Sequence, residues 1–177
     1  MFDDQGGAYV RIMGIDPGIA IVGYGVIDQR GHQIKPVDYG SIQTPAKTAT
    51  STRLKQIYDA SKLLLKRFHP DVVAIEKLFF NRNVTTAFTV AQARGVVILA
   101  AEEAGAAITE YTPLQVKMAT VGYGQAEKKQ VQEMVRMLLN LPQIPKPDDV
   151  ADALGVAICQ AHSATLTARL NPGGRMR

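Results

Sequence analysis

The sequence predicts an α/β protein in which helices flank a mixed five-stranded sheet. Three β-like stretches, at about 11–16, 20–28 and 33–43, follow one another through tight connections, which is typical of an antiparallel meander. Two more apolar stretches, 71–76 and 106–111, each follow a predicted helix, and that order favours parallel addition to the sheet. Two of these strands, the first and the fourth, end in a single carboxylate, Asp16 and Glu76.

The helices are predicted from apolar periodicity and from the residues that interrupt it. The first begins in the region of Thr52, carries an apolar stripe of roughly 3.6-residue period and is ended by His69-Pro70. The other predicted helices cover about 85–104, 113–119, 127–139 and 148–166.

Bulk properties limit the class of protein. The 177 residues predict one folded domain, 11–167, between a leader at 1–10 and a basic, glycine-rich tail at 168–177. Cys159 is the one cysteine, which excludes an intrachain disulfide and favours a reducing, cytoplasmic location. No apolar run approaches the ~18 residues of a membrane span. The net charge of +4 permits nucleic-acid binding without establishing it.

The acidic residues are the candidate chemistry. A carboxylate at the end of an apolar strand costs free energy unless it is paired or binds a cation. Asp149 and Asp152 lie three residues apart on the last predicted helix, so they project from one face of it. Oxygen ligands without a cluster of Cys or His suit Mg²⁺ or Mn²⁺ rather than zinc. Two such ions could activate a water and stabilise the leaving oxygen in phosphodiester cleavage.

Each acid also has a simpler explanation when it is considered alone. Asp16 precedes Pro-Gly and is a good turn former. Acids at the start of the last helix, Asp149 and Asp152 included, are favoured by the positive end of the helix dipole, and Asp148 is expected only to cap that helix. The combination favours a shared site over four separate structural roles.

Five segments together make a specific resemblance. They read IMGIDPGIAIVGYGVI, AIEKLFFNRN, AQARGVV, QVKMATVGYGQAEKKQV and DDVADALGVAICQAH. In this order, from about Arg11 to His162, the chain resembles the RuvC family of Holliday junction resolvases. The resemblance implies an RNase H-like fold, a homodimer, and Mg²⁺-dependent paired nicking of four-way DNA junctions in recombination and repair. It also implies a bacterial cytoplasmic location and the RuvA–RuvB branch-migration complex as a partner.

The resemblance also implies roles for individual residues. The metal ligands and catalytic acids are Asp16, Glu76, Asp149 and Asp152, with two Mg²⁺ ions expected and Mn²⁺ expected to substitute. Lys117, as a catalytic residue, and Lys128 are placed near the site, contacting phosphate or stabilising developing charge. Phe79 is implied to stack on an unpaired base at the junction centre, with Phe80 and Arg82 as further DNA-binding candidates.

Three other functions stay open on the sequence. An actin-like phosphotransferase would share the Asp-x-Gly strand, but it needs a second phosphate loop on a duplicated domain that 177 residues do not offer. A non-catalytic junction-binding protein would share the whole fold, although the presence of all four acids favours an enzyme. The third alternative is an RNase H-like nuclease that acts on another nucleic acid, and only the family resemblance argues against it.

Overall fold

The computed structural model describes residues 9–78 and 84–170, without the side chains of 84–86 and 166–170. These ranges contain five strands and five helices. They are β1 (Val10–Asp16), β2 (Ile21–Arg30), β3 (Gln33–Gln43), α1 (Thr50–Phe68), β4 (Val72–Glu76), α2 (Val84–Glu103), β5 (Ala107–Tyr111), α3 (Pro113–Val121), α4 (Lys128–Leu138) and α5 (Asp148–Leu170).

The strands form one mixed sheet in the order β3-β2-β1-β4-β5. The strands β1, β2 and β3 pair in antiparallel fashion, whereas β4 joins β1, and β5 joins β4, in parallel. The predicted meander, the two parallel additions and the mixed five-stranded sheet are therefore confirmed. The strand β1 lies at the centre, so its carboxyl end is flanked on both sides.

Helices cover both faces of the sheet, and alternate residues of β1 belong to different faces. Met13 and Ile15 pack in the core that includes residues of α1 and α2. Ile12 packs in the second core, with residues of α3, α4 and α5, and Gly14 lies directly under α5. Side chains alternate along a strand, so Asp16 belongs to the same face as Ile12 and Gly14. The first strand therefore delivers its terminal carboxylate to the α5 side.

Glycines in β1 and β2 allow α5 to approach the sheet closely. A Cβ at Gly23 would lie 2.0 Å from the carbonyl oxygen of Asp149, and one at Gly14 would lie 2.1 Å from that of Ala153. Both distances are far inside van der Waals contact, so neither position has room for a side chain. The helix is correspondingly buried on its sheet side, with Ala153 fully inaccessible. Its backbone, rather than its side chains, sets the spacing between α5 and the sheet.

The element ends differ from the sequence-based expectations by a few residues. The helix α1 begins at Thr50 rather than near Thr52, and α5 continues to Leu170 rather than ending near 166. The predicted leader and tail fall largely on residues 1–8 and 171–177, which lie outside the described residues, so the domain boundaries stay a prediction. No helix in the described ranges combines the length and the apolar character needed to cross a bilayer.

Replacing Gly23 with alanine tests the close approach of α5. The added methyl group would collide with the backbone of Asp149, so we expect Gly23→Ala to lower the free energy of unfolding by about 2 kcal/mol or more in chemical denaturation. Gly95→Ala is the matched control, because a Cβ there meets nothing within 4 Å and alanine favours the helix. A Gly23→Ala protein as stable as the unchanged protein would contradict this packing.

Candidate active site

Two of the four predicted acids are neighbours at the carboxyl end of the sheet. Asp16 and Glu76 are the last residues of β1 and β4, and the preceding residues, Ile15 and Ile75, pair in the parallel ladder. The two side chains act on each other: the charge of Glu76 raises the pKa of Asp16, and the Asp16 carboxyl group partly offsets the effect of burial on the pKa of Glu76. Adjacent acids of this kind avoid carrying two full charges when one of them keeps its proton.

The other two acids are brought to the same edge by α5. The residue that pairs with Asp16 across the β1–β2 ladder is Gly23, and the carbonyl group of Asp149 lies directly against it. Asp152 follows less than one turn later on the same helix. The charges of both helix acids act on Asp16, and that of Asp152 also acts on Glu76. The structure therefore brings all four predicted carboxylates into one electrostatic environment.

Burial and mutual repulsion raise the pKa values of three of the four carboxyl groups. Burial foremost, followed by the charges of Glu76, Asp152 and Asp149, raises the pKa of Asp16 to about 8. Burial also leads in raising the pKa of Glu76 and that of Asp152 above their usual ranges. In the protein without a cation, Asp16 is therefore largely protonated at neutral pH.

Lys128 supplies the neighbouring positive charge. It is the first residue of α4, and its Nζ lies 3.0 Å from Oδ2 of Asp152 and 3.5 Å from Oδ2 of Asp148. Burial opposes the charged form, but the contacts with the two carboxylates raise the pKa of Lys128. The contact with Asp148 was not anticipated from the sequence, where that residue was expected only to cap α5. Lys128 and Asp148 are 20 residues apart, and no sequence pattern predicts a contact at that separation, because the contact depends on how α4 packs on α5.

The remaining basic and aromatic residues lie at different places relative to the four carboxylates. Lys117 is half-buried on α3. The residue before it, Val116, lies against Gly155 of α5, which follows Asp152 by three residues. Arg94 on α2 pairs with Glu110 of β5 on the face of the sheet opposite α5. The three predicted DNA-binding residues that lie outside the described residues are Phe79, Phe80 and Arg82.

The donor set fits a hard divalent cation. All four groups are carboxylates, and oxygen ligands of this kind are those that Mg²⁺ and Mn²⁺ prefer. A divalent cation would also offset the burial and the repulsion that together hold the pKa of Asp16 near 8. Within residues 9–78 and 84–170, no three acidic, His or Cys side chains lie close enough together to hold a metal ion in this arrangement.

Comparison with known proteins identifies the family. The model of the family described as "Crossover junction endodeoxyribonuclease RuvC" matches residues 12–160. The protein of that name from Brevibacillus brevis is 64% identical over 152 residues, which cover 86% of this chain and 92% of the relative. The one from Alkaliphilus metalliredigens is 61% identical over 152 residues, covering 86% and 93%.

Solved structures agree with the sequence matches. A structure of Thermus thermophilus RuvC in complex with a Holliday junction substrate superposes with a TM-score of 0.85 at 36% identity, over 89% of this chain and 96% of that one. The yeast mitochondrial Holliday junction resolvase Ydc2, 15% identical with a TM-score of 0.65, shares the fold over 91% of this chain and 84% of its own. The family match spans the central strand, both strand-end acids and the α5 acids, and the chain therefore belongs to the RuvC family of crossover junction endodeoxyribonucleases.

Proposed function

We propose that this chain is a Mg²⁺-dependent endonuclease that resolves four-way DNA junctions in recombination and repair. The observation that carries the proposal is the meeting of four carboxylates, two from strand ends and two from α5, at one edge of the sheet. The names of the relatives and the junction-bound Thermus structure support the choice of substrate.

In this proposal the cation ligands are Asp16, Glu76, Asp149 and Asp152. When bound, divalent cations supply an activated water and stabilise the oxygen that leaves phosphorus. The chain's own contribution is to hold the four carboxylates on rigid elements in a largely buried place. Asp16 must release its proton to act as a ligand, because a neutral carboxyl group is a poor cation ligand. The pKa of about 8 makes that release dependent on the cation at neutral pH.

The lysines near the site oppose the repulsion between its acids and DNA. Lys128 already lies beside Asp152, and its exposed ammonium group is available to a phosphate of the backbone. Lys117 is proposed to stabilise the charge that develops on the scissile phosphate. Its helix, α3, packs on α5 near Asp152, which supports this assignment.

Substrate symmetry and the family support the remaining parts of the proposal. A four-way junction has twofold symmetry, so paired symmetric nicks need two active sites related by a twofold axis, and a homodimer supplies them. We further propose that Phe79 stacks on an unpaired base, that Phe80 and Arg82 contact DNA beside it, and that the RuvA–RuvB complex delivers the junction. A bacterial cytoplasmic location follows from a chromosomal DNA substrate.

Cleavage of a synthetic junction tests the function directly. We expect paired nicks at symmetric positions in a four-way junction with Mg²⁺, none with EDTA, and none in a linear duplex of identical sequence. Asp16→Asn should abolish cleavage and retain junction binding, because the amide keeps the shape of the protonated acid but cannot take the ionised form.

Each other outcome has a defined meaning. Tight junction binding without nicking in Mg²⁺ or Mn²⁺ would show a non-catalytic binding protein. Equal cutting of RNA or linear duplex would show a nuclease for another nucleic acid. Cleavage by the Asp16→Asn protein would contradict the role of the four acids as cation ligands.

Lys117→Ala tests the role of the lysine on α3. We expect kcat to fall by about 100-fold with little change in junction affinity, because the charge is needed mainly in the transition state. Lys55→Ala is the matched control, since Lys55 forms an exposed pair with Asp59 on α1, on the other face of the sheet. Equal losses of affinity and turnover in Lys117→Ala would show that this lysine only binds DNA.

A further inference from the structure

A chain of alternating charges runs along the start of α5, outside the four proposed ligands. Lys146 Nζ lies 2.6 Å from Oδ1 of Asp148, whose Oδ2 lies 3.5 Å from Nζ of Lys128. Lys128 in turn lies 3.0 Å from Oδ2 of Asp152. Asp148 therefore uses one oxygen for each lysine, and the lysines come from two different segments of the chain.

The two contacts of Asp148 have different consequences. The short bond from Lys146, two residues earlier in the chain, orients the carboxylate. The second oxygen is then left facing Lys128 at the amino end of α4. Asp148 is itself adjacent to Asp149, so the same first turn of α5 carries a proposed cation ligand and a partner for the active-site lysine.

Cation binding changes what Lys128 can contact. In the protein without a cation, its closest carboxylate is Asp152. A divalent cation that takes Asp152 as a ligand competes for that carboxylate and repels the ammonium group. Asp148 is not among the four ligands, so its negative charge stays available. Of the two carboxylates that Lys128 contacts in the described part of the chain, Asp148 is then the one that remains.

We propose that Asp148, oriented by Lys146, is a positioning residue that keeps Lys128 at the edge of the carboxylate site once Asp152 engages a cation. The inference rests on the proposed function and deepens it. It assigns to Asp148 the task of presenting the lysine to a backbone phosphate of the junction rather than letting it swing into solvent.

Kinetics of Asp148 variants provide the first test. We expect Asp148→Asn to lower kcat on the junction by roughly three- to tenfold with KM nearly unchanged, because a phosphate held by Lys128 at the edge of the site gains negative charge in the transition state. Asp148→Glu, which keeps the charge, should recover most of the loss. In a Lys128→Ala background the Asp148→Asn change should have no further effect, as expected when one residue acts only through the other.

The mobility of Lys128 in DNA-free protein provides a second test that does not depend on activity. We expect the NMR order parameter at Cε of Lys128, measured with Mg²⁺ present, to be high in the unchanged protein and low in Asp148→Asn. Asp59→Asn is the matched control, because Asp59 also pairs with a lysine but on the exposed side of α1. That variant should leave kcat and the mobility of Lys128 unchanged.

The outcomes separate this inference from the proposed function. If the unchanged protein does not cleave junctions, the proposed function fails, and the order parameter still decides whether Asp148 holds Lys128. If the unchanged protein cleaves and Asp148→Asn matches it in both kcat and Lys128 mobility, the positioning role is overturned. An additive loss in the Lys128→Ala background would likewise overturn it, because Asp148 would then act independently of that lysine.

Discussion

The close approach of α5 to β1 and β2 is the constraint on which the rest of the site depends. With Gly23 and Gly14 under the carbonyl groups of Asp149 and Ala153, helix and sheet meet backbone to backbone. That contact sets the distance between the acids of α5 and those at the strand ends. A helix held away by ordinary side chains would carry the same acids farther from Asp16. The two glycines thus link the packing of the core to the chemistry of the site.

Bringing four acids together creates repulsion between their charges, and the structure reduces that repulsion only in part. The raised pKa of Asp16 keeps a proton on that carboxyl group and so removes one charge, and Lys128 balances Asp152. Both arrangements are weaker than a divalent cation would be, because neither neutralises the whole group. The site is therefore poised for a cation, and the raised pKa of Asp16 is the physical sign of that state. The proposed nuclease chemistry and the stability of the site depend on the same charges.

Much of the fold and part of the site could be predicted from the sequence, for identifiable reasons. The sequence showed that Asp16 and Glu76 each end an apolar strand, and the parallel ladder between β1 and β4 shows that these strands are neighbours, so both acids lie at one edge of the sheet. The spacing of Asp149 and Asp152 placed them on one helix face, but nothing local showed how deeply that helix would settle on the sheet. The contact between Lys128 and Asp148 was missed because it exists only once α4 and α5 have packed.

The Mg²⁺ affinity of the DNA-free protein as a function of pH tests the central claim most directly. If the four acids form one coupled cation site, binding must displace the proton of Asp16, whose pKa is raised to about 8. Calorimetric affinity should then rise steeply between about pH 6 and 8 and level off above that range, with weak binding and a flatter profile in Asp16→Asn. Mg²⁺ affinity that stays constant across this range, or that is unchanged by Asp16→Asn, would contradict a shared site built on these carboxylates.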